Sequence, residues 1–116
     1  MFPSIVLVED QPIAREMILE LLDGHVRVVA AAEGPHDAIE AVRVHRPTGA
    51  LIDVNLGSTN GFHLAKELSK AFPGLKIVLT SANAEPVYAE LASAIPNTLF
   101  VAKSDLCGKN LAAFWR

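Results

Sequence analysis

One carboxylate interrupts an apolar run in the middle of the chain, and this feature limits the possible folds most. Residues 50–56 read Ala-Leu-Ile-Asp-Val-Asn-Leu, and the turn-forming sequence Gly-Ser-Thr-Asn-Gly follows at 57–61. A short apolar run that ends in turn residues is typical of a strand buried on both faces, as in parallel sheets. An ionised carboxylate there is costly unless it is paired, binds a metal or lies at the strand's end. Asp53 is therefore either a capping or turn-forming residue or the reactive group of a site.

Strand and helix patterns alternate five times along the sequence. Further buried-strand runs are predicted at 4–8, 26–32, 76–80 and 98–103, with apolar residues at helical spacing between them. In the first helix the recurring apolar residues are Ile13, Met17, Ile18, Leu21 and Leu22. In the fourth helix Tyr88, Leu91 and Ile95 are predicted to face inward, and a last helix is predicted over Asp105–Arg116. Because each crossover holds a helix, the fold class is α/β, a doubly wound domain with a parallel sheet.

Composition bounds the class of protein. A chain of 116 residues, 51% hydrophobic and 20% charged, is long enough for one domain with a real core. A net charge of −3 without a basic stripe argues against nucleic acid as a partner. No apolar run approaches the roughly 20 residues of a membrane span, and the N-terminus lacks the pattern of a signal peptide. The sequence therefore predicts a soluble cytoplasmic domain that binds neither nucleic acid nor membrane.

The residues that end the predicted strands carry the chemistry. They are Glu9 and Asp10, Asp53, Thr80 and Lys103. The carboxyl ends of parallel strands share one edge, so these side chains can converge. Three carboxylates raise one another's pKa unless a cation lies among them, and oxygen ligands without His or Cys suit Mg²⁺. A lysine and a hydroxyl are suited to a phosphoryl group, so the pattern indicates phosphoryl transfer to Asp53 as nucleophile.

The chain resembles a response-regulator receiver domain of two-component signalling. The likeness rests on Ile5-Val6-Leu7-Val8-Glu9-Asp10, Leu51-Ile52-Asp53, Thr80-Ser81-Ala82 and Phe100-Val101-Ala102-Lys103, which occur in the family's order. It covers essentially the whole chain, so residues 1–116 are expected to be one receiver domain. The resemblance implies a flavodoxin-like (βα)5 three-layer sandwich with strand order 2-1-3-4-5 and Asp53 at its centre.

The resemblance also implies roles for the acidic residues. Asp53 corresponds to the phospho-accepting aspartate, which takes its phosphoryl group from a histidine kinase or a histidine phosphotransfer protein in a phosphorelay. Glu9 and Asp10 correspond to the acidic pair that binds Mg²⁺ together with Asp53. Asn55 lies where the family's main-chain carbonyl completes the coordination. Such a domain is a phosphoacceptor with at most slow self-dephosphorylation, not a turnover enzyme.

A second set of residues corresponds to the family's switch. Thr80 matches the switch hydroxyl, Phe100 the switch aromatic residue, and Lys103 the lysine that pairs with the phosphoryl group. The surface formed by the fourth helix, the fifth strand and the fifth helix is then expected to bind a downstream partner or a second copy of the chain. Phe100 replaces the commoner tyrosine, so its inward state is expected to depend on packing alone.

Other departures from the family change specific expectations. Ser104 follows Lys103 where the family usually has a proline after a cis bond, so we expect a trans bond and a looser placing of Lys103. The sequence at 57–60 replaces the usual proline-containing loop and is expected to alter Mg²⁺ affinity. Residues 95–97 replace a small-residue segment before the fifth strand, which is expected to alter the surface that reports activation.

Two other functions remain open at this point. An aspartyl-phosphate phosphatase also uses a nucleophilic aspartate at the end of a strand, but it usually has a second acid two residues later, where this chain has Asn55. A degenerate receiver would serve as a docking module that is never phosphorylated. The sequence leaves open whether the chain acts alone or is part of a longer protein.

Overall fold

The computed structural model describes residues 2–116 as a five-stranded parallel sheet with helices on both faces. Its elements are β1 (Ser4–Val8), α1 (Pro12–Leu22), β2 (Arg27–Ala32), α2 (Pro35–His45), β3 (Gly49–Asp53), β4 (Asn55–Leu56), β5 (Thr59–Asn60), α3 (Gly61–Ala71), β6 (Lys76–Ser81), α4 (Pro86–Ser93), β7 (Thr98–Ala102) and α5 (Gly108–Trp115). A 3₁₀ turn at Lys103–Asp105 joins β7 to the segment before α5.

The order of the strands confirms the predicted flavodoxin-like topology. The sheet runs β2-β1-β3-β6-β7, which is the order 2-1-3-4-5 once the short strands β4 and β5 are set aside. These two form a small antiparallel hairpin, with Asn55 opposite Asn60 and Leu56 opposite Thr59, which the sequence patterns did not indicate. All neighbouring pairs in the main sheet are parallel, and β3 lies at its centre.

Each face of the sheet has its own core. Alternate strand residues point to opposite faces, so Val6 and Ile52 pack on the side of α2 and α3, while Leu7 and Leu51 pack on the side of α1 and α5. All three central strands are almost completely buried. This burial on both faces explains why their sequences are continuous apolar runs.

The sequence left the buried face of α1 open, and one predicted helix face, that of α4, was partly wrong. Of the apolar residues at helical spacing in α1, Ile13 and Met17 are 78% and 64% exposed, and Ile18 and Leu22 are buried. Leu91, predicted to face inward, is 41% exposed. The inward face of α4 passes through Ala92, because the residue buried against the sheet lies four positions after Tyr88 and not three.

The end of the chain also differs from the prediction of one helix over Asp105–Arg116. The strand ends at Ala102, one residue before the predicted end, and the 3₁₀ turn and two extended residues precede α5, which begins at Gly108. A Cβ at Gly108 would lie 2.6 Å from the carbonyl oxygen of Leu21. Gly108 therefore allows the start of α5 to lie directly against the end of α1.

Within residues 2–116, no helix has the length and apolar character needed to cross a membrane.

Candidate functional site

The carboxyl ends of β1, β3 and β7 bring three of the predicted site residues into direct contact. Glu9 follows β1, Asp53 ends β3, and Lys103 follows β7. The Lys103 Nζ donates to Glu9 Oε1 and to Asp53 Oδ2, each over 2.9 Å. The sequence predicted that a cation lies among the carboxylates, because they would otherwise repel one another. In this structure the ammonium group of Lys103 lies between Glu9 and Asp53.

Asp53 is held firmly by its surroundings. Only 6% of the residue is exposed. Its Oδ2 accepts from Lys103, and its Oδ1 accepts from the main-chain N–H of Asn55 over 2.9 Å. A Cβ at Gly61 would lie 2.3 Å from the Asp53 main-chain oxygen, so the start of α3 packs directly on the backbone at this strand end. Each carboxylate oxygen thus has one donor, and the backbone beneath it is braced.

Glu9 is completely buried, and its neighbours set its electrostatics. Burial raises the pKa of Glu9, the hydrogen bond from Lys103 lowers it, and the carboxylate of Asp53 raises it again, so the net pKa lies above the usual range. For Lys103, burial lowers the pKa, but the hydrogen bonds to Glu9 and Asp53 outweigh burial and the net pKa is raised. Lys103 is therefore held in its charged form.

Two contacts around Glu9 were not identified from the sequence. The main-chain N–H of Gln11 donates to Glu9 Oε2 over 3.3 Å, and Arg15 Nη1 donates to the Glu9 main-chain oxygen over 3.2 Å. The contact of Arg15 could have been predicted from the sequence, because a basic residue one turn into the helix after β1 can reach back to the end of that strand. Gln11 acts only through its backbone, so its residue type carried no signal.

Asp10 and Asn55 are placed less tightly than the residues around Lys103. Asp10 is half-buried, and its Oδ2 lies 3.4 Å from the position of a Cβ at Gly57. Asn55 is exposed and contacts Asp53 through its backbone N–H. In the described part of the chain, no three acidic, His or Cys side chains are grouped closely enough to hold a metal ion. The donors suit Mg²⁺ chemically, since they are carboxylates and a main-chain carbonyl, and the metal site stays a prediction.

Thr80 has a buried hydroxyl without a partner. Its Oγ1 finds no hydrogen bond among residues 2–116, although the residue is 1% exposed and lies opposite Asp53 in the register of β3 and β6. Leaving a buried hydroxyl unsatisfied costs about 1–3 kcal/mol. The next residue differs, because Ser81 Oγ accepts from the N–H of Asn83 over 3.1 Å. Thr80 thus keeps a free donor beside the carboxylate edge.

The remaining predicted switch residue, Phe100, lies in an aromatic cluster. It is half-buried on β7, and its ring meets that of Tyr88 edge to face, with centroids 5.3 Å apart. Tyr88 in turn contacts Phe62, with centroids 5.4 Å apart. The sequence placed Tyr88 and Phe100 on the same surface but gave no indication of the link to Phe62.

The bond after Lys103 matches one expectation and contradicts another. No cis peptide bond occurs in the described residues, so the Lys103–Ser104 bond is trans as expected. The looser placing of Lys103 was wrong, because Nζ has two carboxylate partners at 2.9 Å. The 3₁₀ turn that begins at Lys103 directs its side chain across the edge of the sheet without a proline.

Comparison with solved structures agrees with the fold. The signal receiver domain of NarL from Mycobacterium tuberculosis superposes with a TM-score of 0.81 at 24% identity, over 97% of this chain and 96% of that one. A two-component response regulator of the LuxR family from Aurantimonas sp. SI85-9A1 gives a TM-score of 0.83 at 24% identity, over 90% of this chain and 76% of the other.

Comparison of sequences finds longer relatives. A protein-glutamate methylesterase/protein-glutamine glutaminase of Nitrosospira multiformis is 31% identical over 85 residues, which are 72% of this chain and 24% of that protein. The DNA-binding transcriptional activator DevR/DosR of Mycobacterium tuberculosis is 33% identical over 81 residues, 67% of this chain and 37% of the activator. The chain thus spans about a quarter to a third of the length of these relatives.

The family model described as the response regulator receiver domain matches residues 5–105, from β1 through the turn that carries Lys103. That range includes the acidic pair, the aspartate at the end of β3, the hydroxyl at the end of β6 and the lysine after β7. The chain therefore belongs to the receiver domain family of two-component response regulators.

Proposed function

We propose that residues 1–116 form one receiver domain that accepts a phosphoryl group on Asp53 from a histidine kinase or a histidine phosphotransfer protein. The observation that supports this most is the placement of the Asp53 carboxylate at the centre of the sheet edge, between the ammonium of Lys103 and the N–H of Asn55. The proposed nucleophile is one of these two carboxylate oxygens.

The proposed transfer is a simple displacement at phosphorus. One carboxylate oxygen of Asp53 forms a bond to phosphorus while the bond between phosphorus and the donor's histidine nitrogen breaks, and the released imidazole takes a proton. The transferred group carries negative oxygens, and the raised pKa of Lys103 keeps a full positive charge within reach of them. The Asp53 carboxylate becomes part of the product, so each domain accepts one phosphoryl group and does not turn over as an enzyme does.

Mg²⁺ is the proposed cofactor. Glu9, Asp10 and Asp53 would hold it together with the main-chain carbonyl of Asn55. When bound, the ion supplies positive charge that offsets repulsion between the acidic edge and the incoming phosphoryl group.

In this proposal, Thr80 senses the phosphoryl group on Asp53, and the surface of α4, β7 and α5 passes the change on to a binding partner. The free Thr80 hydroxyl can donate to a phosphoryl oxygen on the neighbouring strand, and the space that it leaves can receive the ring of Phe100. Val87, Leu91 and Leu99 are exposed apolar residues on this surface, which suits a downstream protein or a second copy of the chain. A cytoplasmic location is part of the proposal.

A phosphorylation assay tests this function. The protein is mixed with acetyl phosphate and Mg²⁺, and the added phosphoryl group is counted and located by mass spectrometry. We expect one group on Asp53, none in Asp53→Asn, and strongly reduced labelling in Asp10→Asn. Asp37→Asn is the matched control, because Asp37 is exposed on α2 and should leave labelling unchanged.

Each alternative predicts a different outcome. Full labelling of Asp53→Asn would refute Asp53 as the acceptor, and unchanged Mg²⁺ titration in Asp10→Asn would refute the acidic pair as metal ligands. A folded wild-type protein that takes no label from acetyl phosphate, and binds no beryllofluoride in the presence of Mg²⁺, would instead be the phosphorylation-independent docking module.

A further inference from the structure

The helix α4 packs along β7 but buries few of its own side chains. Within Pro86–Ser93, only Ala92 is fully buried, and the helix has no side-chain hydrogen bond at its N-terminus. The loop at 82–85 before it is exposed throughout. In the first half of α4, residues 86–89, Tyr88 is the one residue that is not exposed, and its side chain packs against the core.

The ring of Tyr88 lies between two other rings. Its centroid is 5.4 Å from that of Phe62, with an interplanar angle of 54°, and 5.3 Å from that of Phe100, with an angle of 63°. Tilted and edge-to-face pairs at these distances are favourable beyond the apolar area that they bury. Tyr88 thus gains from both neighbours only while Phe100 keeps its present, half-buried position.

Both neighbours lie close to the phosphoryl-acceptor site. Phe62 follows Gly61, which packs on the main-chain oxygen of Asp53, and Asn60 Oδ1 accepts from the Phe62 N–H over 2.7 Å. Phe100 precedes the residue of β7 that pairs with Thr80. The cluster of Phe62, Tyr88 and Phe100 therefore joins the backbone after Asp53 to the strand beside Thr80.

We propose that Tyr88 is a positioning residue that holds Phe100 in its present, half-buried position, the resting state of the proposed switch, an inference that rests on the proposed function of Asp53 and Thr80. Movement of Phe100 toward Thr80 breaks its edge contact with Tyr88. Phe100 has no hydroxyl that a hydrogen bond could fix in either position, so packing sets the balance. The ring of Tyr88, and not its hydroxyl, then determines how strongly the resting state is favoured.

Binding of a phosphoryl mimic measures this balance. A ligand that binds only the switched state binds more tightly when the resting state loses stability, by the same factor. We expect Tyr88→Ala to bind beryllofluoride with Mg²⁺ about two- to tenfold more tightly than wild type, which corresponds to the loss of an aromatic pair. Tyr88→Phe keeps the ring and should match wild type, as should Glu90→Gln, whose side chain is exposed on the same helix.

A second readout follows Phe100 itself. With 4-fluorophenylalanine at position 100, the ¹⁹F resonance of mimic-free Tyr88→Ala should move toward that of mimic-bound wild type. Thermal unfolding confirms that each variant is folded, and Tyr88→Leu, which keeps apolar bulk without a ring, replaces the alanine variant if that one unfolds.

The outcomes separate this inference from the function on which it rests. Absence of mimic binding to wild type would overturn the proposed function itself. Normal binding by wild type, with unchanged or weaker binding by the variant that lacks the ring, would overturn the role of Tyr88 alone. Tighter binding by Tyr88→Phe, equal to that of Tyr88→Ala, would also overturn it, because the hydroxyl and not the ring would then be responsible.

Discussion

Removal of the Lys103 ammonium should destabilise the domain measurably, and in a way that depends on pH. The Lys103→Ala variant leaves the completely buried carboxylate of Glu9, and the neighbouring carboxylate of Asp53, without the ammonium group that both contact. Removing one partner of a buried ion pair costs about 3–5 kcal/mol, because the other charge stays uncompensated. The Lys103 side chain is 24% exposed, so solvent screens part of the interaction, and we expect a loss of about 2–3 kcal/mol in the free energy of unfolding near neutral pH.

The sign of the pH dependence follows from Glu9. Its pKa is raised in the folded protein, so over the range between the unfolded and folded pKa values the native state binds a proton that the unfolded chain has lost. Stability falls as pH rises through that range. Lys103 lowers the pKa of Glu9, so its removal extends the range upward. The raised pKa of Lys103 itself matters only at alkaline pH, above its unfolded value.

Urea unfolding of wild type and Lys103→Ala at about pH 7 and about pH 5, without divalent metal, measures both effects. The destabilisation should be smaller at the lower pH, because Glu9 then takes a proton in the variant. Glu9→Gln combined with Lys103→Ala should recover part of the loss, since no buried charge remains. Lys66→Ala is the control, as Lys66 is exposed on α3. A destabilisation of less than about 0.5 kcal/mol at both pH values would refute the reasoning.

Two further predictions test the packing around the site and the buried face of α1. Gly61→Ala places a Cβ 2.3 Å from the Asp53 main-chain oxygen, so thermal unfolding should show a loss of about 1–3 kcal/mol and acetyl phosphate should label Asp53 more slowly. Gly34→Ala has open space around it, so it should lose only the preference for glycine at the N-cap of α2 and leave labelling unchanged. Ile18→Ala should cost about 2–5 kcal/mol in urea unfolding and Ile13→Ala less than about 0.5 kcal/mol; equal costs would show that the buried face of α1 is wrongly assigned.

The fold could be predicted from sequence because the strands are buried on both faces. A continuous apolar run such as the one that ends at Asp53 is typical of a strand buried on both faces of a sheet. The alternation of such strands with helices then restricts the topology. Helix faces were less certain. Ile13 and Met17 fit the period of α1 as well as Ile18 does, and only the packing of α1 on the sheet decides which residues are covered.

The site could be predicted to the level of which residues meet, since the ends of parallel strands share one edge. The sequence did not show which cation lies between the acids, because a metal ion and Lys103 satisfy the same requirement for positive charge. It also did not show that Thr80 Oγ1 has no partner, since that depends on the distances across the strand ends. The short hairpin of β4 and β5 lacks an apolar alternation long enough to be recognised.

The placing of Lys103 shows how flanking structure can replace a proline. On one side, β7 fixes the backbone through Ala102, which pairs with Ser81. On the other, the N–H of Leu106 donates to the Lys103 main-chain oxygen over 3.4 Å, and the Leu106 side chain packs in the core between α1 and α5. With the backbone held on both sides, the direction of the Lys103 side chain is set by the 3₁₀ turn. The sequence expectation failed because it assigned to one peptide bond a constraint that the register of β7 and the packing of Leu106 supply together.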